Sequence, residues 1–317
     1  MIEVLQLTKT YHDTVAVSNV SFSIKEGQTL VLLGTSGSGK TTTLRMLNRL
    51  TEPTSGKIFI DGKNILSQPP EGLRRNMGYV LQGYGLFPHY SVAENIAIVP
   101  KLLKWPKEKI RKRIDELMDK LQLPPEQYRD VYPATLSGGQ KQRVGLARAL
   151  ATDPPILLMD EPFGALDMLT RFAVRKEFKE LDELKKKTII LVTHDVQEAF
   201  ELGDKIGLMD KGKMQQLASP SELLFHPASD FVKAFFKQHL FQLEWQSIRL
   251  KNIWNDLPEA GNDKNTTLLS SHTLWKAIEE LANNNAPVYV FDEETALRKE
   301  VTFQHLKTAI QKQKQQN

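Results

Sequence analysis

Residues 34–41 read GTSGSGKT, a spacing suited to one kind of chemistry. Glycines let the backbone wrap around phosphates, and a helix opening at the lysine aims its free amides at them. Gly34, Thr35, Ser36, Gly37, Ser38, Gly39, Lys40, Thr41 and Thr42 thus form a candidate triphosphate cradle. Lys40 would reach the β and γ oxygens, and the Thr41 hydroxyl would ligate Mg2+. A glycine-rich turn alone is structural; lysine and threonine in register after an apolar run make this one chemical.

A second set follows in ILLMDEP (156–162), where four apolar residues deliver two acids to a strand end. Asp160 suits a water-mediated Mg2+ contact, and Glu161 suits a general base that polarises an attacking water. His194 closes LVTHD and is placed to contact the γ-phosphate. Gln82 closes MGYVLQ and is placed to reach metal and water. A histidine or acid pair at one strand end has a plainer structural reading. The phosphate loop changes that, because parallel strands converge on one crevice at their C-termini. The combined reading is ATP with Mg2+, with Glu161, His194 and Lys40 catalytic and Thr41, Gln82 and Asp160 around the metal.

LSGGQ (136–140) contains nothing reactive, yet its Gly-Gly pair frees backbone amides ahead of a helical stretch, a second anion cradle. One nucleotide needs one cradle. Ser137, Gly138, Gly139 and Gln140 therefore serve a nucleotide held by another molecule, most simply a second copy in a head-to-tail homodimer.

These residues need a scaffold of parallel strands. TLVLLG (29–34), PILLMD (155–160) and KTIILVTHD (187–195) are apolar enough for buried strands, and KTTTLRMLNRL and TRFAVRKEFKELDELKKK (170–187) are the helices between. The N-terminal runs IEVLQL and VSNVSFSI alternate as a half-buried antiparallel sheet, and KIFIDGKNI reads as a hairpin. Residues of about 85–150 are helical and interrupt the alternation as a subdomain. The expected architecture is α/β: parallel-sheet core, antiparallel β subdomain and helical subdomain over 1–240, then a small α+β domain over 241–317. The final QKQKQQN is expected to fray.

The 317 residues carry a net charge of +4 and no cysteine. This excludes disulfide or thiolate chemistry and gives no sign of nucleic-acid binding. The densest basic stretch, KLLKWPKEKIRKR (101–113), reads as a solvated helix face. The start lacks the pattern of a signal peptide, and no run of about 18 apolar residues occurs. Any membrane contact is expected through partners only.

Taken in order, the phosphate loop, Gln82, LSGGQ, MDEP, GALD (164–167) and His194 resemble the ATPase subunits of ABC transporters, over residues 1 to about 238. The resemblance implies that Tyr11 stacks on adenine and that Asp167 links the two ATP sites across the dimer. It also implies that Glu161 is the catalytic glutamate and His194 the switch histidine. RMLNRLTEPTSGKIFIDGKNI, GYGLFPHYSVAENIAIVPKLLKW and DPPILLMDEPFGALDMLTR are similar to subunits of glycine betaine, choline and carnitine importers. Importers of related compounds such as ergothioneine use similar subunits. Thr35 departs from the usual proline, and ATLSGG lacks the commoner acidic residue. The resemblance implies transmembrane permease subunits, a substrate-binding protein or domain, and a peripheral place on the cytoplasmic face of the inner (plasma) membrane. It further implies that the segment after Gln82, including Glu94, meets a cytoplasmic helix of the permease. The tail resembles a single CBS motif, which pairs with a partner's copy. His305 stands where an aspartate normally holds ribose, so dimerisation is expected rather than nucleotide sensing. The alternative is a soluble ABC ATPase acting on ribosomes or DNA; those carry two cores or a long coiled-coil insertion, and neither is present.

Overall fold

A computed structural model describes residues 2–260, 268–283 and 288–315. The chain divides into two compact units, Met1–Leu217 and Ala218–Asn317.

In the first unit, β1 (Ile2–Tyr11) and β2 (Thr14–Ile24) pair antiparallel, and β3 (Thr29–Gly34) leads through the phosphate loop into α1 (Lys40–Leu47). The hairpin strands β4 (Ser55–Ile60) and β5 (Lys63–Asn64) complete a four-stranded sheet of order β2-β1-β4-β5. A short α2 (Pro70–Arg75), not evident in the sequence, precedes β6 (Met77–Val80). Helices α3 (Val92–Leu102), α4 (Lys107–Lys120), α5 (Pro125–Tyr128) and α6 (Gly138–Leu150) fill the expected helical stretch. Val92, Ile96, Ile110, Ile114, Leu117 and Val144 are buried within it.

The chain then forms β7 (Ile156–Asp160), α7 (Met168–Glu180), β8 (Thr188–Thr193), α8 (Val196–Leu202), β9 (Lys205–Asp210) and β10 (Lys213–Ala218). Helix α7 stops short of the expected 187, because Leu181 turns extended and a 3-10 turn follows at Asp182–Leu184. The main sheet has order β10-β9-β3-β8-β7-β6. Strands β9, β3, β8, β7 and β6 are mutually parallel, so the ends of β3, β8, β7 and β6 share one edge. Leu30, Leu32, Leu44, Leu47, Ile58, Leu158 and Val192 share one apolar cluster spanning both sheets and α1. That burial fixes the phosphate loop against the sheet.

The second unit contains α9 (Pro220–Phe225), α10 (Asp230–Phe236), α11 (Leu240–Ser247), β11 (Leu268–Leu269), α12 (Leu274–Asn283), β12 (Val288–Phe291), β13 (Arg298–Val301) and α13 (Phe303–Gln315). It begins earlier than the expected 241. Phe225 belongs to the same buried cluster as Trp245, Leu274, Val290 and Leu306, which draws α9 into the unit. Helix α13 continues to Gln315, so most of the expected frayed end is helical; residues 316–317 lie outside the described residues.

Candidate functional site

Glycine is required at two points of the phosphate loop. A Cβ on Gly34 would lie 2.2 Å from Met209 O, and one on Gly39, at φ +97°, would lie 2.5 Å from Ala16 O. Lys40 is only 5% exposed. Its Nζ donates to Gly34 O at 2.9 Å, Thr35 O at 2.8 Å and Ser38 Oγ at 3.3 Å. The ammonium thus sits inside the ring of carbonyls and hydroxyls that the loop forms. Burial lowers its pKa, and the charges of Glu161 and Asp160 oppose that shift. Thr35, Ser36 and Gly37 are exposed, while Thr41 and Thr42 lie half-buried in the first turn of α1.

Asp160 is 1% exposed at the end of β7. Thr41 Oγ1 donates to its Oδ1 at 2.8 Å, whereas Oδ2 is buried and accepts no hydrogen bond. The Tyr79 hydroxyl interacts electrostatically with this carboxylate but lacks hydrogen-bonding geometry. Burial raises the Asp160 pKa, against the Thr41 hydrogen bond and the charge of Arg45. Burial and the Asp160 charge push the Tyr79 phenol up to about 12. An orphaned buried carboxylate oxygen beside a hydroxyl is a donor set that suits a hard, oxygen-preferring cation.

Glu161 holds the left-handed backbone (φ +44°), and its N–H donates to Val192 O at 3.0 Å. This places its carboxylate between two of the expected partners. Gln82 Nε2 donates to Oε2 at 3.0 Å, and His194 Nδ1 lies 3.3 Å from Oε1. Gln82 engages Glu161, with no hydrogen bond to Thr41 or Asp160 among the described residues. Residues from the ends of β6, β7 and β8 therefore meet on one carboxylate.

Ser137 caps α6 in a reciprocal box: its Oγ accepts from Gln140 N at 3.2 Å, and its N–H donates to Gln140 Oε1 at 2.8 Å. Gln140 Nε2 also donates to Tyr128 Oη at 2.9 Å. The glycines serve close approach rather than unusual backbone. A Cβ would meet Tyr84 Oη at 2.8 Å from Gly138, and the Thr170 methyl at 2.9 Å from Gly139. No hydrogen bond joins Ser137–Gln140 to the phosphate loop among the described residues. Asp167 is exposed and caps α7, accepting from Thr170 N at 3.1 Å, and the Thr170 hydrogen bonds lower its pKa. Tyr11 is exposed at the end of β1, with Lys9 Nζ 4.9 Å over its ring.

Sequence reasoning passed over Tyr84 and Arg148. The Tyr84 hydroxyl donates to Ala165 O at 3.1 Å. Arg148 Nη1 donates to Gly85 O at 2.7 Å, pinning the turn after Gln82 to α6. An aromatic inside GYG, directly after Gln82, was the available signal.

A family model described as ABC transporter matches residues 17–164. The glycine betaine/carnitine/choline transport ATP-binding protein of Bacillus subtilis (strain 168) is 46% identical over 88% of this chain and 72% of its own length. The glycine betaine uptake system ATP-binding protein of Escherichia coli (strain K12) is 50% identical over 78% of this chain and 80% of its own. A solved dimeric ATP-binding cassette, in a post-hydrolysis state bound to ADP and Pi, superposes with a TM-score of 0.62 at 34% identity. It covers 69% of this chain and 98% of that one.

Proposed function

The chain belongs to the ABC transporter family of ATP-binding subunits, and we propose that it is the ATPase that powers an importer of a quaternary ammonium or betaine-like solute. The solute class follows the names of its relatives. The observation that carries the hydrolytic reading is Glu161, bridged to Gln82 and His194 beside the hydrogen-bonded Thr41–Asp160 pair.

ATP lies with its phosphates on Gly34–Thr42 and its adenine on Tyr11. Lys40 and the first amides of α1 bind the β and γ oxygens. Thr41, Asp160 and Gln82 would hold Mg2+, which when bound would neutralise phosphate charge. Glu161 polarises the attacking water, and His194, on the outer side of that carboxylate, contacts the γ-phosphate. The Ser137–Gln140 cradle completes the site of a second copy, with Asp167 at the junction. In support, Met168, Leu169 and Phe172, directly after Asp167, are 85%, 83% and 62% exposed, an apolar patch of the kind a partner covers.

No helix among the described residues is long and apolar enough to cross a membrane. The subunit works peripherally, on the cytoplasmic face, through permease subunits that receive solute from a binding protein or domain. The tail, with one CBS-like motif, serves dimerisation. Reconstitution with its permease in vesicles tests the proposal: ATP inside should drive glycine betaine or choline uptake. ATP turnover without uptake of any quaternary ammonium compound would contradict the solute class.

A further inference from the structure

Helix α7 begins beside Asp167 and meets two other helices with two different stripes. Thr170, Val174 and Glu177 face α6. A Cβ on Gly139 would lie 2.9 Å from the Thr170 methyl and 3.6 Å from Val174 Cγ2, and Arg143 Nη2 pairs with Glu177 at 2.8 Å. Arg171 and Arg175, one turn apart, face α8. Arg175 Nε lies 2.6 Å from Glu201 Oε2, and Arg171 Nη1 lies 3.6 Å from Asp195 Oδ2. Arg171 Nη2 also donates to Leu166 O at 3.0 Å, in the turn that carries Asp167.

Asp195 directly follows His194, and its Oδ1 accepts from Gln197 N and Glu198 N to start α8. Thr193, directly before His194, donates to the buried Glu198 at 2.5 Å. His194 therefore stands on a base whose charged groups reach α7. Arg175 is 6% exposed. Burying a guanidinium is costly, and apolar side chains would join two helices more cheaply. An ion pair at this point fixes register between the helices instead.

We propose that Arg175, assisted by Arg171, is a positioning residue that ties His194 of one ATP site to the Ser137–Gln140 cradle completing the other. Helix α7 is the shared strut. Packed helices shift as units rather than deform. A displacement of His194 is carried by Asp195 and Glu201 into α7, then through Gly139 and Arg143 into Ser137. Each site thereby senses the occupancy of its neighbour. The inference rests on the in-trans reading of the cradle.

The test is the ATP dependence of hydrolysis by the full chain assembled with its permease, for wild type, Glu201→Gln, Arg175→Met, Arg175→Lys and the swap Arg175→Glu/Glu201→Arg. Wild type should approach a Hill coefficient of about 2, the limit for two sites. Glu201→Gln and Arg175→Met should bring it toward about 1 and lower turnover about five- to tenfold, with ATP affinity of the isolated monomer unchanged. Arg175→Lys and the swap should recover most of the cooperativity, and the unchanged ATP affinity of the monomer separates lost coupling from a folding defect. Glu201 is partly exposed, so Glu201→Gln keeps the test decisive if Arg175→Met fails to fold. Wild-type cooperativity in Glu201→Gln, or an equal loss in Arg175→Lys, overturns the proposal. A non-cooperative wild type also overturns the proposal, whereas the in-trans reading fails separately, if Ser137→Arg and Lys40→Ala chains do not restore turnover when mixed.

Discussion

Thr41 and Asp160, 119 residues apart in sequence, share a 2.8 Å hydrogen bond that spends one carboxylate oxygen and leaves the other buried and bare. The phosphate loop and the end of β7 are thereby one object. The raised Asp160 pKa means the folded protein binds this proton more tightly than the unfolded chain does. Stability therefore falls as pH rises from the ordinary carboxylate value, about 3.9, through the raised folded one. Asp160→Asn keeps the acceptor for Thr41 and removes the charge. It should raise the unfolding midpoint at neutral pH, by roughly 2–4 °C per kcal/mol relieved, and the gain should vanish in acid. The Tyr79 phenol should titrate below its present value of about 12, read by ultraviolet absorbance. Hydrolysis should fall and should need more Mg2+ to reach its maximum. A midpoint unmoved at every pH would contradict the electrostatic account.

The cradle gives a second expectation. Ser137→Arg should abolish hydrolysis while leaving ATP binding by the monomer intact, because Ser137 hydrogen-bonds only within its own cap among the described residues. Mixing it with Lys40→Ala should restore turnover in heterodimers that hold one complete site. Equal loss of monomer ATP affinity in both variants would show that the cradle acts in cis.

Much of this was legible in the sequence because its signals are local. An apolar run followed by GTSGSGKT specifies strand, loop and helix together, and IILVTHD places His194 at a strand end without further help. What was not legible depends on distant partners. Gly138 and Gly139 read as freeing amides, but Tyr84 and Thr170 are what require them to be small. The joining of α9 to the tail was not legible, because nothing near Phe225 announces that its side chain enters a cluster with Trp245 and Leu306. Helix α2 and the ion pairs of α7 were missed for the same reason.

The segment after Gln82 combines a capping acid with exposed apolar side chains. Glu94 Oε2 accepts from Ser91 N at 2.8 Å in the capping box of α3, so charge reversal there also costs about 0.5–2 kcal/mol of helix stability. Phe87, Tyr90 and Leu102 are exposed and apolar nearby. Phe87→Asp should impair solute uptake in vesicles several-fold more than basal ATPase, and Glu94→Gln should affect both less than Glu94→Lys. Full uptake by Phe87→Asp would remove this surface from the permease interface.

In the tail, His305 Nδ1 accepts from Thr302 N at 3.2 Å, occupying the imidazole at the start of α13. The unit has its own buried cluster, so a 218–317 fragment should fold and bind no adenine nucleotide tightly. Calorimetry showing micromolar or tighter affinity, cyclic di-AMP included, would make the tail a sensor.

The central claim is that Glu161 is the base, with Gln82 and His194 ordering it. The direct measurement is steady-state ATP hydrolysis and bound nucleotide for Glu161→Gln in the assembled transporter. Turnover should fall about 10²- to 10⁴-fold, with unhydrolysed ATP retained in a stable dimer. Near-wild-type turnover would contradict the account.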